Sequence, residues 1–123
     1  MPVFTGKYTK VGRPLWSPTA EDIKDYGLSK YGFTEKSQYS EITRTIPVSM
    51  DKEGNPMPGT KWVNVPSVFD GGKIMDDEDF LAKFYKENDY KDPITNKAIE
   101  MFSDAETAVK AAKNRSANEL LDE

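Results

Sequence analysis

The sequence predicts an α+β fold, in which a small antiparallel β-hairpin or sheet packs on two α-helices and an extended N-terminal arm precedes them. Two runs of alternating apolar residues flank a loop rich in Gly and Pro, a pattern typical of a hairpin. Two later segments place apolar residues at helical spacing behind capping residues. A chain of 123 residues is long enough for one domain. We therefore divide it into an extended arm, residues 1–38, and a small α+β domain, residues 39–123.

The hairpin is predicted by the runs TRTIPVSM and KWVNVPSVF. Ile46 and Val48 would share one face of the first strand, and Val63 and Val65 would share one face of the second. The connection DKEGNPMPGT is dense in residues that form turns. After the second run, DGG at residues 70–72 predicts a tight turn, because glycine adopts a positive φ without a Cβ penalty.

The domain contains two predicted helices, and each starts at a recognisable cap. Asp76 or Asp77 caps the first, since a short acidic side chain accepts hydrogen bonds from the orphan amides of a helix start. Ser103 and Glu106 form an S-x-x-E capping box before the second. The apolar stripe of the first helix consists of Phe80, Leu81, Phe84 and Tyr85.

The arm mixes Gly, Pro, Ser, Thr and Lys with aromatic residues and shows no lasting period. One short helix is predicted in it, with Ser17 as the cap, Pro18 in the first helical position and Gly27 at the end. Aromatic side chains in such a polar, irregular segment cannot all enter one small core, so we expect some of them to bind a partner. The predicted partner-binding residues are Phe4, Tyr8, Trp16, Tyr26, Tyr31 and Phe33 of the arm and Trp62 of the domain. For Trp62 the alternative is packing on a sheet face.

Composition limits the chemistry that this chain could perform. It contains no Cys and no His, which removes thiol nucleophiles, imidazole bases, disulfides and nearly all zinc sites. A net charge of −4 disfavours a nucleic-acid binder. No apolar run approaches the roughly 20 residues that span a bilayer. We predict no enzyme activity, no catalytic residue, no metal and no cofactor.

Three patterns could suggest a reactive site, and each has a simpler interpretation. The acidic run at residues 76–79 fits no calcium loop and is typical of a helix start. The DGGK segment at residues 70–73 is too short for a phosphate loop and favours a turn. A carboxylate pair such as Glu53 and Asp70 could serve glycoside hydrolysis, but no spacing selects it.

From Tyr39 to Ser116 the chain resembles a small module of tailed-bacteriophage virion proteins, found alone or attached to larger internal virion and lytic transglycosylase-type polypeptides. The segments that carry the resemblance are YSEITRTIPV, KWVNVPSVFDGGKI and MFSDAETAVKAAKNRS, in that order. The resemblance implies a virion component and offers no catalytic residue. It implies structural roles for Trp62, Asn64, Pro66, Phe102, Ala112 and Ser116.

The expected function is therefore that of a structural component of a phage virion, assembled in the host cytoplasm. Its domain would dock on larger virion proteins, and its N-terminal arm would tether neighbours. Whether it also forms a homo-oligomer in the assembled particle is left open. Two alternatives remain: an accessory module for cell-wall degradation or genome ejection, and a host-interaction protein outside the virion.

Overall fold

The computed structural model describes residues 1–115, and over these residues it contains two small antiparallel sheets and three α-helices. The predicted α+β class is confirmed. In chain order the elements are β1 (Val3–Tyr8), β2 (Pro14–Ser17), α1 (Ala20–Asp25), β3 (Thr43–Pro47), β4 (Trp62–Pro66), α2 (Glu78–Glu87), β5 (Met101–Phe102) and α3 (Ala105–Arg115). Short 3₁₀ turns occupy Leu28–Tyr31 and Asp70–Gly72. Ser116, which the resemblance includes, lies outside the described residues.

The predicted hairpin is confirmed by the antiparallel pairing of β3 with β4. Ile46 lies opposite Val63, and Thr45 lies opposite Asn64. The short strand β5 pairs with the other edge of β4 and completes a three-stranded sheet in the order β3-β4-β5. The predicted turn at Asp70–Gly72 is also present, and it joins residues that bridge as an antiparallel pair.

One face of this sheet packs on α2 and forms the main core. The core consists of Ile46, Val63, Val65, Leu81 and Tyr85, each at most 1% exposed. The Tyr85 hydroxyl donates a hydrogen bond of 2.6 Å to the carbonyl of Pro66, so its polar end is satisfied inside the core. Burial raises the pKa of this phenol. Of the predicted helical stripe, Leu81 and Tyr85 are therefore fully buried, whereas Phe80 is 38% exposed.

The opposite face of the sheet carries α3. The Asn64 amide nitrogen donates to the carbonyl of Ala108 at 2.7 Å, and its amide oxygen accepts a 2.6 Å hydrogen bond from the Thr45 hydroxyl. Ala108 is fully buried, and its small side chain lets the helix backbone approach the strand. The sheet therefore lies between α2 and α3.

The predicted extended arm is not clearly shown. Residues 1–38 contain the β1–β2 pair and α1, and Leu15 and Leu28 are only 7% and 0% exposed. Leu28 belongs to a second cluster, whose other buried members are Tyr39, Val68 and Ile74. Apolar residues of the first segment are thus covered by later ones, which a freely extended arm would not allow. The division of the chain at residue 38 stays a prediction.

A buried arginine joins the first segment to the rest of the molecule. The Arg13 side chain is 1% exposed, and its Nη1 donates to Asp92 Oδ1 at 2.6 Å. Its Nε donates to the carbonyl of Ser40 at 3.2 Å and lies 3.6 Å from Glu41 Oε2. Its Nη2 donates to the carbonyl of Val68. One guanidinium therefore fixes three separate segments relative to β2.

The start of α1 differs from the prediction, because Thr19 rather than Ser17 is the cap. Ser17 ends β2, whereas the Thr19 hydroxyl accepts from the Asp22 amide at 3.2 Å. The Asp22 carboxylate accepts in return from the Thr19 amide at 2.8 Å, which completes a capping box. Asp22 also lies 3.3 Å from the N-terminal amine of Met1.

The two domain helices begin at aspartates. Asp77 caps α2, as predicted, by accepting from the amides of Asp79 and Phe80. At α3 the prediction of a Ser103 cap is wrong, because Asp104 accepts from the Thr107 amide at 2.8 Å. This hydrogen bond lowers the pKa of Asp104. The helix thus starts one residue later than its S-x-x-E pattern indicated, since a carboxylate accepts amide hydrogen bonds more strongly than a hydroxyl.

We expect Arg13→Met to lower the free energy of unfolding by about 3–5 kcal/mol, because it leaves the buried Asp92 carboxylate without its cation. Urea denaturation at neutral pH measures this change. Arg44→Met is the matched control, since Arg44 is 35% exposed and its pairing with Asp76 should contribute about 1 kcal/mol or less. Equal losses in the two variants would contradict the structural role of Arg13.

We expect Asp22→Asn to cost about 1 kcal/mol at pH 7, because it removes the carboxylate charge from the capping box and from the ion pair with the amine of Met1. Burial raises the pKa of Asp22, but the hydrogen bonds from Thr19 and the amine of Met1 outweigh it and lower the pKa below 3.8. The carboxylate therefore stabilises the fold above that value, and the contribution is lost as the pH falls through the folded-state pKa. Urea midpoints from pH 7 to pH 3 should converge for Asp22→Asn and the unchanged chain. Exposed Glu21→Gln serves as the control.

Candidate interaction surface

Two exposed aromatic rings of β1 and a tryptophan of β2 form a group in which Phe4 contacts both of the other rings. The Phe4 ring lies 5.5 Å from the Tyr8 ring and 5.6 Å from the Trp16 ring, measured between centroids. Phe4 and Trp16 are directly opposite in the strand pairing, so they lie on the same side of the sheet. Phe4 is 42% and Tyr8 52% exposed, whereas Trp16 is half-buried. We call these three residues the aromatic face.

Trp16 holds the aromatic face against the domain. Its amide donates to the carbonyl of Tyr39 at 2.8 Å, and its carbonyl accepts from the Tyr39 amide at 2.9 Å. Its ring lies over Gly72, where an added Cβ would come within 2.6 Å of Trp16 Cδ2. The absence of a side chain at Gly72 is therefore what allows the indole to sit on the turn. The exposed Phe4 ring therefore packs on an indole that is held by Tyr39 and the turn at Gly72.

Three of the predicted partner-binding residues make contacts within the protein itself. Tyr31 donates from its hydroxyl to Asp76 at 2.6 Å, and partial burial together with this bond raises its pKa to about 12. Phe33 stacks on buried Tyr39 with centroids 6.2 Å apart and an angle of 10° between the rings. Tyr26 follows α1 and packs on the cluster around Leu28. Tyr26 and Phe33 thus cover part of the second core, whereas Tyr31 is 38% exposed.

Trp62 lies in the three-stranded sheet, whereas the aromatic face belongs to the β1–β2 sheet. It is half-buried in β4, opposite Phe102 of β5 and Pro47 of β3. Alternation places it on the same side of the sheet as Asn64, the side that carries α3. This position fits the alternative interpretation of Trp62, packing on a sheet face. Within residues 1–115, no ring contact joins it to Phe4 or Tyr8.

A further aromatic group was not singled out from the sequence as a surface. Phe69 packs edge-on against Phe80 and Phe84, with centroids 6.0 and 5.2 Å apart. Phe80 stacks on Phe84 at 5.8 Å and is 38% exposed. The helical spacing of Phe80 and Phe84 predicts that these two rings are neighbours on α2. No pattern in the sequence around Phe69 predicts that it packs against them. Each ring is in contact with the others, so this group extends the main core towards the surface.

A cavity of about 520 Å³ lies between the sheet and α3. Its wall includes Glu41, Asp92 and Asn64. The two carboxylates face Arg13, and both ends of the Asn64 amide are hydrogen-bonded within the sheet and α3. Among the described residues, no buried side-chain nitrogen or oxygen lacks a hydrogen-bond partner. Glu41, Asp92 and Asn64 therefore already have partners within the protein.

The acidic run at residues 76–79 is used by the fold. Asp76 accepts from Tyr31 and Arg44, and Asp77 caps α2. In the part of the chain that the structure describes, no group of three or more Asp, Glu, His or Cys residues could hold a metal ion. None of the helices described there is long and apolar enough to cross a bilayer.

No model of a protein family matches the chain, and searches of curated proteins and of solved structures found no match either. The aromatic face therefore has to be interpreted from its own geometry. Sequence reasoning selected Phe4, Tyr8 and Trp16, but it could not separate them from the aromatic residues that contact the protein's own surface. It also did not select Val3, which is 58% exposed on β1.

We expect Gly72→Ala to destabilise the fold more than Gly71→Ala. Both glycines have a positive φ, 76° and 78°, but an added Cβ meets the Trp16 ring only at Gly72. Left-handed strain costs about 1–2 kcal/mol in both variants, and the clash adds about 1–3 kcal/mol at Gly72. Urea denaturation followed by tryptophan fluorescence measures the difference. Equal costs would show that the indole does not rest on this turn.

Proposed function

We propose that this chain is a structural component of a tailed-phage virion that docks on larger virion proteins through its aromatic face. The observation that carries the proposal is the exposure of Phe4 and Tyr8, at 42% and 52%, on a strand supported by half-buried Trp16. Clustered exposed aromatic rings are typical of protein–protein contact sites. The segments around Trp62 and Phe102 resemble phage virion modules, and this resemblance is the reason for proposing a phage particle as the assembly.

The energetics of the aromatic face suit docking. Complete burial of a side chain as large as phenylalanine contributes about 1.5–3 kcal/mol, and a half-exposed ring retains part of this for a partner. Aromatic side chains lose little conformational entropy on binding, since only two χ angles are fixed. Trp16, already held by Tyr39 and Gly72, requires no further ordering. A few such residues can dominate the affinity of an interface.

The contacts of the N-terminal segment favour binding through a fixed hairpin over binding through a flexible tether. Leu15 and Leu28 are buried, and Arg13 is bonded inside the domain, so a long flexible tether is disfavoured. Tyr31, one of the predicted partner-binding residues, donates its hydroxyl to Asp76. The proposed contact is therefore β1 itself, presented by a fixed hairpin.

Particles of the phage that encodes this chain provide the test. We expect mass spectrometry of purified particles to find the chain at a fixed copy number relative to the major capsid protein. The double variant Phe4→Ala, Tyr8→Ala should lower incorporation about tenfold or more, because both rings lose their buried contacts. Phe80→Ala is the control, since Phe80 is 38% exposed elsewhere on the surface. Circular dichroism checks that each variant is folded.

Each negative result has a separate meaning. Absence of the chain from particles would reject the virion role and favour a function in the infected cell. Presence with normal incorporation of the double variant would reject docking through the aromatic face. Binding of the purified chain to peptidoglycan would favour the accessory role in cell-wall degradation.

A further inference from the structure

The outer edge of β1 has backbone groups that do not serve the β1–β2 pairing. Trp16 exchanges both of its backbone hydrogen bonds with Tyr39, on the far side of β2. The pair Phe4–Trp16 is therefore the type of antiparallel pair without mutual hydrogen bonds, and the amide and carbonyl of Phe4 project away from β2. The strand from Val3 to Tyr8 thus presents peptide groups and exposed side chains along the same edge.

We propose that this edge of β1 accepts an extended, acidic segment of another polypeptide as an additional β-strand. The inference rests on the proposed function, because it specifies the partner of the same surface. In strand addition, backbone hydrogen bonds supply affinity, and contacts with alternate side chains supply specificity. Here the peptide group of Phe4 would form backbone hydrogen bonds with the added strand, and its ring would pack against side chains of that strand.

Charge indicates the composition of the partner. Residues 1–20 contain no Asp or Glu, although the whole chain has a net charge of −4. Lys7 is exposed in β1, and no ion pair within residues 1–115 is recorded for its side chain. The amine of Met1 is paired with Asp22, and Arg13 is paired with Asp92. A carboxylate of the added strand diagonal to Lys7 would form a favourable cross-strand pair.

The same lysine argues against a second copy of this chain as the occupant. Pairing of two β1 strands would bring together two segments that carry lysine and no carboxylate. Like charges across strands destabilise pairing, and a lysine on an edge strand is a common device against self-association. An acidic strand of a different chain would not repel Lys7, and its carboxylates would attract the lysine instead.

The form of the aromatic face also favours a polypeptide over a single-stranded nucleic acid. The Phe4 ring meets Tyr8 edge-on at 65° and is tilted at 52° to Trp16, so the three rings do not form a set of parallel faces. Stacking of successive bases instead needs open ring faces. The pairing register shifts between Phe4 and Tyr8, where Gly6 has a φ of 84°. Regular pairing with an added strand is thus expected near Val3 to Thr5, beside the rings.

The first experiment selects binders from a random library of peptides of about ten residues, the length of a long strand, with the full chain as the target. We expect the enriched peptides to alternate apolar and acidic residues. Amide resonances of Val3 to Tyr8 should shift on binding, and the Phe4 amide should become protected from hydrogen exchange. N-methylation along a selected peptide should abolish binding at every second position only, since alternate amides point to β1.

The charge test uses matched lysine variants. Lys7→Glu should weaken the selected acidic peptide about tenfold, and a version of that peptide with Lys in place of its acids should recover the affinity. Lys52→Glu, an exposed lysine of the loop between β3 and β4, should leave the affinity unchanged.

Four results would overturn the inference: no enriched peptide, enriched peptides without acidic residues, a β1-dependent dimer of the chain alone, or displacement of the peptide by a short oligothymidylate. These results differ from failure of the proposed function. Binding of acidic strands by a chain absent from particles would reject only the virion role. A chain present in particles without strand addition would reject only this inference.

Discussion

The buried guanidinium of Arg13 is the interaction on which the arrangement of the molecule depends. It reaches the carbonyls of Ser40 and Val68 and the carboxylate of Asp92, three segments far apart in sequence. A planar fork with five N–H donors can serve several acceptors at once, whereas a lysine ammonium cannot reproduce that geometry. Since Arg13 directly precedes β2, the same bonds fix β2, and through it β1, relative to the three-stranded sheet.

The parts of the fold that were predictable from the sequence depend on local patterns. Alternation around Ile46 and Val63 predicted the hairpin, and helical spacing of Leu81 and Tyr85 predicted the buried side of α2. Asp77 was predictable as a cap because the preference for a short acidic residue at a helix start is a local one. Where two residues compete for the same cap, as at Ser103 and Asp104, the final choice depends on energies that a spacing rule does not contain.

The parts that were not predictable depend on contacts between distant residues. Arg13 and Asp92 are 79 positions apart, and Tyr31 and Asp76 are 45 positions apart. Sequence periodicity carries no information about such distant pairs, and for this reason the sequence of the first segment predicted an extended arm. The candidate surface was affected in the same way: composition selected seven aromatic residues, and only tertiary packing separates Phe4 and Tyr8 from those that cover the protein itself.

The loop between β3 and β4 provides a fixed position for a label. Residues 51–59 are all exposed, and Asp51 holds their turn by accepting from the amides of Glu53 and Asn55. The chain contains no cysteine, so a cysteine introduced at Lys52 would be its single thiol. A gold cluster attached there would mark the orientation of the chain in electron micrographs of whatever assembly contains it, and would leave the edge of β1 unmodified.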